Sequence, residues 1–154
     1  MPAIQPDSEP GDLENALSRL QCILVARRTR ATPEAVSWAQ YDILEVLRLH
    51  GPMTPSLLSD RLGAARTGIS KSLRVLKDLG LVEQMQEDGD RRAFVTALTR
   101  QGRDFLARAA TGRSEAARCV REALTPGEQA IFVELCEKAS AALAITDADQ
   151  EAHA

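Results

Sequence analysis

Ala65-Arg66-Thr67-Gly68-Ile69-Ser70-Lys71-Ser72-Leu73-Arg74-Val75-Leu76-Lys77-Asp78-Leu79-Gly80 carries two chemistries on one helical period. At about 100° per residue, Ile69, Leu73, Leu76 and Leu79 fall on one side. Thr67, Ser70, Lys71 and Arg74 fall on the other, with Arg66 and Lys77 flanking. The pattern predicts a helix closed by Gly80, with a core face beneath and short hydrogen-bonding and cationic groups above. Such a face suits the major groove, where Arg and Lys read guanine edges and Ser or Thr serve bases or phosphates. A merely solvated helix face is the alternative reading. Ordinary surface helices mix signs, however, and no acid stands on this face before Asp78.

Upstream, Thr54-Pro55 opens a short helix carrying Leu57, Leu58 and Leu62, with Thr54 capping and Pro55 in the first turn; Gly63 breaks it. Before it, Ser37 and Gln40 form a capping box for a helix bearing Trp38, Tyr41, Leu44 and Leu47, which Gly51-Pro52 ends. Downstream, Val82–Gln86 and Ala93–Leu98 are expected as strands joined by the polar loop Glu87-Asp88-Gly89-Asp90-Arg91-Arg92. Two short helices around a Gly-containing turn, followed at once by a hairpin, make a winged helix-turn-helix. The hairpin tip sets Arg91 and Arg92 beside Gly89, and a narrow minor groove attracts a cation so placed. Asp90 can fix the direction of Arg92 by a charge-assisted pair.

Towards the ends, Leu13, Ala16, Leu17, Leu20, Ile23 and Leu24 predict an amphipathic helix that stops near Arg30, before Thr32-Pro33. Thr99 caps a long fifth helix. Thr125-Pro126-Gly127-Glu128 opens a sixth that carries Ile131, Leu135, Ala139, Ala142 and Ala144. The expected class is mainly α with a small β-hairpin wing. Residues 1–11 are expected as a flexible arm, 12–36 and 100–146 as dimerisation helices, 37–99 as the DNA-binding lobe and 147–154 as a flexible tail. The terminal helices have apolar faces that one lobe of this size has little means to bury, so a homodimer is expected. A two-fold dimer addresses half-sites about 10–11 base pairs apart.

The 154 residues carry a net charge of −3, which taken alone disfavours nucleic acid. The distribution reverses that: Arg61 to Lys77 holds five cations and no acid, whereas Ser114 onward holds three cations and eight acids. Cys22, Cys119 and Cys136 are odd in number, far apart and without metal-ligand spacing, which fits a reducing cytoplasm rather than a disulfide framework. No apolar run is long enough to span a bilayer, and the N-terminus lacks signal-peptide character. No cofactor, metal site, catalytic set or membrane partner is expected. His50 ends a helix, His153 sits in the tail, and no Gly-rich phosphate loop is present.

Leu62-Gly63, Leu79-Gly80-Leu81-Val82, Asp90-Arg91-Arg92 and Leu98-Thr99-Arg100-Gln101-Gly102 together resemble the MarR family (multiple antibiotic resistance regulators). The resemblance covers about residues 13–145. It implies an obligate dimer with intertwined terminal helices, bound to double-stranded DNA as a transcription regulator, most often a repressor. It places Arg66, Thr67, Ser70, Lys71 and Arg74 on the recognition helix, Asp90 and Arg92 in the wing motif, and Ser56 on a phosphate. Many relatives release DNA when a small anionic aromatic effector binds near the dimer layer. Arg27, Arg28, Trp38, Tyr41 and His50 stand near that junction in sequence order, although Trp38 and Tyr41 also read as core. Some relatives instead sense peroxides through a cysteine near the start of the first helix. Here Ser18 is nearer that position, and Cys22 follows a turn later among Leu20, Ile23 and Leu24, where burial would make a thiol inert. A winged helix used only for protein contacts is the other alternative.

Overall fold

The computed structural model describes residues 11–30, 35–87 and 90–151, without the side chains of 87, 90–93, 111–112 and 145–151. It divides into two compact units, one carrying α1 (Asp12–Arg30) and the other every later element. No residue of α1 is buried.

In the larger unit the capping box at Ser37 forms, and α2 (Trp38–His50) sends Tyr41, Ile43, Leu44 and Leu47 inward. α3 (Pro55–Leu62) starts on Thr54, whose side chain accepts from the Leu57 amide, and ends on Gly63. The turn into α4 (Arg66–Asp78) is fastened by Ser59, which is buried. Its backbone carbonyl takes the Ala64 amide at 3.1 Å, and its hydroxyl donates to the Ala64 carbonyl. α4 begins on Ala65 without a side-chain cap.

β1 (Val82–Glu87) pairs antiparallel with β2 (Asp90–Leu98), running from Val82↔Leu98 to Glu87↔Asp90 with an irregularity at Gln86/Glu87. The strands therefore reach further towards the tip than the six-residue loop expected from the sequence: the Glu87↔Asp90 pair continues the ladder, which needs only backbone groups. Met53 pairs with Thr96 through both backbone bonds and ties the hairpin base to the α2–α3 connection. The core joins α2, α3, α4, the hairpin and α5 (Arg100–Ala109). Ile43, Leu44, Leu58, Leu76 and Leu106 are each at most 1% exposed. Each such side chain contributes about 1.5–3 kcal/mol by leaving water.

The long fifth helix expected from the sequence is two helices. α5 stops at Ala110 (φ −68°, ψ −8°) and α6 (Thr111–Ala123) restarts from the same residue. A ψ near zero breaks the regular ladder, and Thr111-Gly112, a β-branched residue and a glycine, resist it least. α7 (Pro126–Glu151) opens on the expected Thr125–Glu128 box, with the Thr125 amide donating to the Glu128 carboxylate at 2.8 Å. It extends past Thr146, where the sequence had suggested an end. Among the described residues, no helix is long and apolar enough to cross a membrane.

Candidate nucleic-acid interface

α4 carries the face that the sequence pattern required. Ile69, Leu73 and Leu76 are buried at 3%, 5% and 0% exposure, anchoring the helix from below. Arg66, Thr67, Ser70, Lys71, Arg74 and Lys77 are all exposed. Among the described residues, none of those four cations forms an ion pair, so their charge faces solvent unopposed. Leu79 departs from the expected core row, being 37% exposed as the helix closes. Ser56 is exposed in the first turn of α3. Between α3, α4 and β1 runs a groove of about 230 Å³ lined by Pro55, Ser70, Leu73, Arg74, Lys77 and Gln84, with two cations and no acid.

The rear end of α4 is locked in place. Gly80 takes φ +70°, while the Leu81 amide reaches the Leu76 carbonyl and the Gly80 amide the Lys77 carbonyl, both at 2.9 Å. This is a Schellman closure, which needs a residue tolerant of the left-handed region. The freed carbonyls are then taken up by the start of α5. Thr99 donates its hydroxyl to Gly80 O at 2.6 Å and its amide to Leu81 O at 3.2 Å, and Gln101 Nε2 donates to Leu79 O at 3.2 Å. Thr99 Oγ1 also accepts from the Gly102 amide at 3.0 Å, capping α5. A Cβ on Gly102 would lie 2.1 Å from Leu81 O, so only glycine permits this approach. Nothing in the sequence around Thr99 and Gly102 marks them as the residues that join two helix ends.

Asp90, Arg91 and Arg92 stand at the start of β2, and their side chains lie outside the described residues, as does Gly89. Trp38 meets Tyr41 edge-to-face with centroids 5.4 Å apart, so these two candidates are together. His50 ends the same helix, exposed, about 14 Å further along its axis. Arg27 is exposed and Arg28 half-buried in α1. A polar cluster that the sequence did not reveal lies beside Tyr41. The Glu45 carboxylate, 16% exposed, receives Arg48 Nε at 2.6 Å, the Tyr41 hydroxyl at 3.2 Å and Arg113 of α6. Cys22 is exposed rather than buried, because the apolar residues around it (Leu20, Ile23, Leu24) are themselves 41–52% exposed.

The MarR family model matches residues 36–93. Similar solved structures cover most of the chain. RV1404 from Mycobacterium tuberculosis is 26% identical, with a TM-score of 0.67 over 88% of this chain and 95% of its own. BpsR from Bordetella bronchiseptica, whose DNA binding is regulated by 6-hydroxynicotinic acid, is 21% identical with a TM-score of 0.62 (84% and 99% covered). PcaV from Streptomyces coelicolor, solved with its natural ligand, is 22% identical with a TM-score of 0.61 (93% and 99% covered). No curated protein sequence matches significantly. The helix-turn-helix and most of the hairpin thus match the MarR family model across residues 36–93, and the fold is shared with these solved structures along most of the chain.

Proposed function

We propose that the protein is a sequence-specific transcription regulator that binds double-stranded DNA as a homodimer on a pseudo-palindromic operator. It acts as a repressor released by a small anionic aromatic ligand. The carrying observation is α4: buried Ile69, Leu73 and Leu76 hold Arg66, Lys71, Arg74 and Lys77 outward, with no described acid pairing them. In this reading Thr67, Ser70, Lys71 and Arg74 face base edges, Arg66 and Ser56 hold phosphates, and Arg91 and Arg92 with Asp90 form the wing contact to the minor groove.

The homodimer is supported by unburied apolar surface on α1 and α7. Leu13, Leu17, Ile23, Leu24 and Val25 on α1, and Ile131, Val133, Leu135 and Leu143 on α7, are each at least 50% exposed. Large apolar side chains left exposed in this number mark an interface. Ligand control is supported by BpsR, a protein of similar fold whose effector is an aromatic acid by name. Here Trp38, half-buried against Tyr41, is the candidate aromatic contact. A thiol-responsive form of the same function is favoured by the exposure of Cys22. Loss of DNA affinity on peroxide treatment, absent in Cys22→Ser, distinguishes it.

Selection of bound duplexes from a random pool, with and without aromatic acids, tests the reading. The expected result is an enriched inverted repeat whose affinity falls steeply with salt, with a slope near −0.9 per phosphate contacted. A pool that stays random, or a monomeric mass at micromolar concentration, refutes it.

A further inference from the structure

Gly68 lies in the first turn of α4, exposed and with ordinary helical backbone, and a Cβ built on it meets nothing within 4 Å. The chain itself therefore gives no reason for a glycine there. Gly80 needs its positive φ and Gly102 its close approach to Leu81 O, but Gly68 has neither requirement. Glycine also weakens a helix relative to alanine, which frees fewer backbone states on unfolding. On the helical wheel Gly68 stands about 60° from Lys71 and 20° from Val75, on the outer side of α4. The missing side chain is thus a shallow notch in the surface assigned to DNA, beside the exposed Thr67 and Lys71.

We propose that Gly68 is the point at which the duplex comes closest to α4, and that the absence of a Cβ there is a determinant of operator affinity. This rests on the DNA-binding reading above. The bare backbone at Gly68 lets the first turn of α4 descend until its main chain touches the DNA surface. Any side chain at this position holds the helix away and lengthens the contacts made by Thr67 and Lys71.

Gly68→Ala tests it, titrated against the duplex recovered from the random pool and against an unrelated duplex, with melting followed in parallel. Gly127→Ala is the control, because a Cβ there also meets nothing within 4 Å and it lies in the first turn of α7. The expected result is melting at or above that of the unaltered protein, operator affinity down at least about tenfold, and no change in binding for Gly127→Ala. A loss confined to the selected duplex indicates a base edge at residue 68, and an equal loss on both indicates the sugar–phosphate backbone. Unchanged operator affinity overturns the proposal. So does lowered melting, since the chain itself would then require the glycine. If the unaltered protein binds no duplex, the DNA reading fails first, and the two failures are told apart within one titration.

Discussion

Gly102→Ala should be among the most damaging single-methyl additions available to this fold. The new Cβ would sit 2.1 Å from Leu81 O, and ordinary contact begins near 3.4 Å, so α5 and the end of α4 must part by about 1.3 Å. Leu98 Cδ2 stands 3.3 Å from the same point and closes the sideways escape. A shift of that size breaks the bonds that Thr99 donates to Gly80 O and Leu81 O and the one that Gln101 donates to Leu79 O. Three hydrogen bonds at about 1 kcal/mol net each, with at least about 1 kcal/mol for overpacking, come to roughly 4 kcal/mol. For a chain of this length that corresponds to a melting point lower by roughly 10 °C. Urea denaturation at fixed protein concentration measures it, with Gly127→Ala as the matched control expected within about 0.5 kcal/mol of the parent. A Gly102→Ala variant within about 1 kcal/mol of the parent would refute the reasoning that the two helix ends are locked by backbone proximity.

Arg74→Ala should weaken binding to the selected duplex by about 1–3 kcal/mol if the guanidinium makes a bidentate base contact, as read by fluorescence anisotropy. An equal loss on unrelated DNA reassigns it to a phosphate. Glu45→Gln removes the charge shared by Arg48 and Arg113, whose side chains are 39% and 42% exposed. Solvent screening at those arginines limits the expected loss to about 1 kcal/mol, and high salt should shrink it further, which paired urea titrations can show. The backbone amide and then the hydroxyl of Thr125 hold the Glu128 carboxyl below the ordinary glutamate range. Its capping contribution is therefore complete above the unfolded-state value and lost as pH falls through the lowered folded one. An NMR titration of the carboxyl carbon should place it below a free glutamate, and Thr125→Ala, which keeps the amide and loses the hydroxyl, should raise it only in part.

What could be read from the chain was local. The Ser37–Gln40 and Thr125–Glu128 boxes, the Thr54-Pro55 start and the two-faced α4 all lie within a few residues of their partners, and each forms in the structure. Readings that needed distant information did not carry through. Glu45 and Arg113 are 68 residues apart, and nothing near either one announces the pairing. The break falls at Ala110, and α6 restarts at Thr111-Gly112, where helix propensity is weakest. The expected burial of Cys22 fails because an apolar stripe shows that a face seeks cover without showing that its own chain supplies it. For the candidate interface, the outward face of α4 was legible, while the junction of Thr99, Gln101 and Gly102 was not. Its hydrogen bonds run to carbonyls 19 and 22 residues away in sequence.

The two ends of α4 are treated unequally: the rear is bolted to α5 through Gly80, Leu81 and Thr99, and the front starts on Ala65 with no side chain to cap it. Hydrogen exchange should follow that asymmetry, slow from Leu76 to Leu81 and fast from Arg66 to Gly68. A small tilt imposed through α5 is thus passed to α4 at its rear and turns the helix about the buried Ile69 near its front. A displacement too slight to disturb the core could carry the leading residues out of register with whatever they touch.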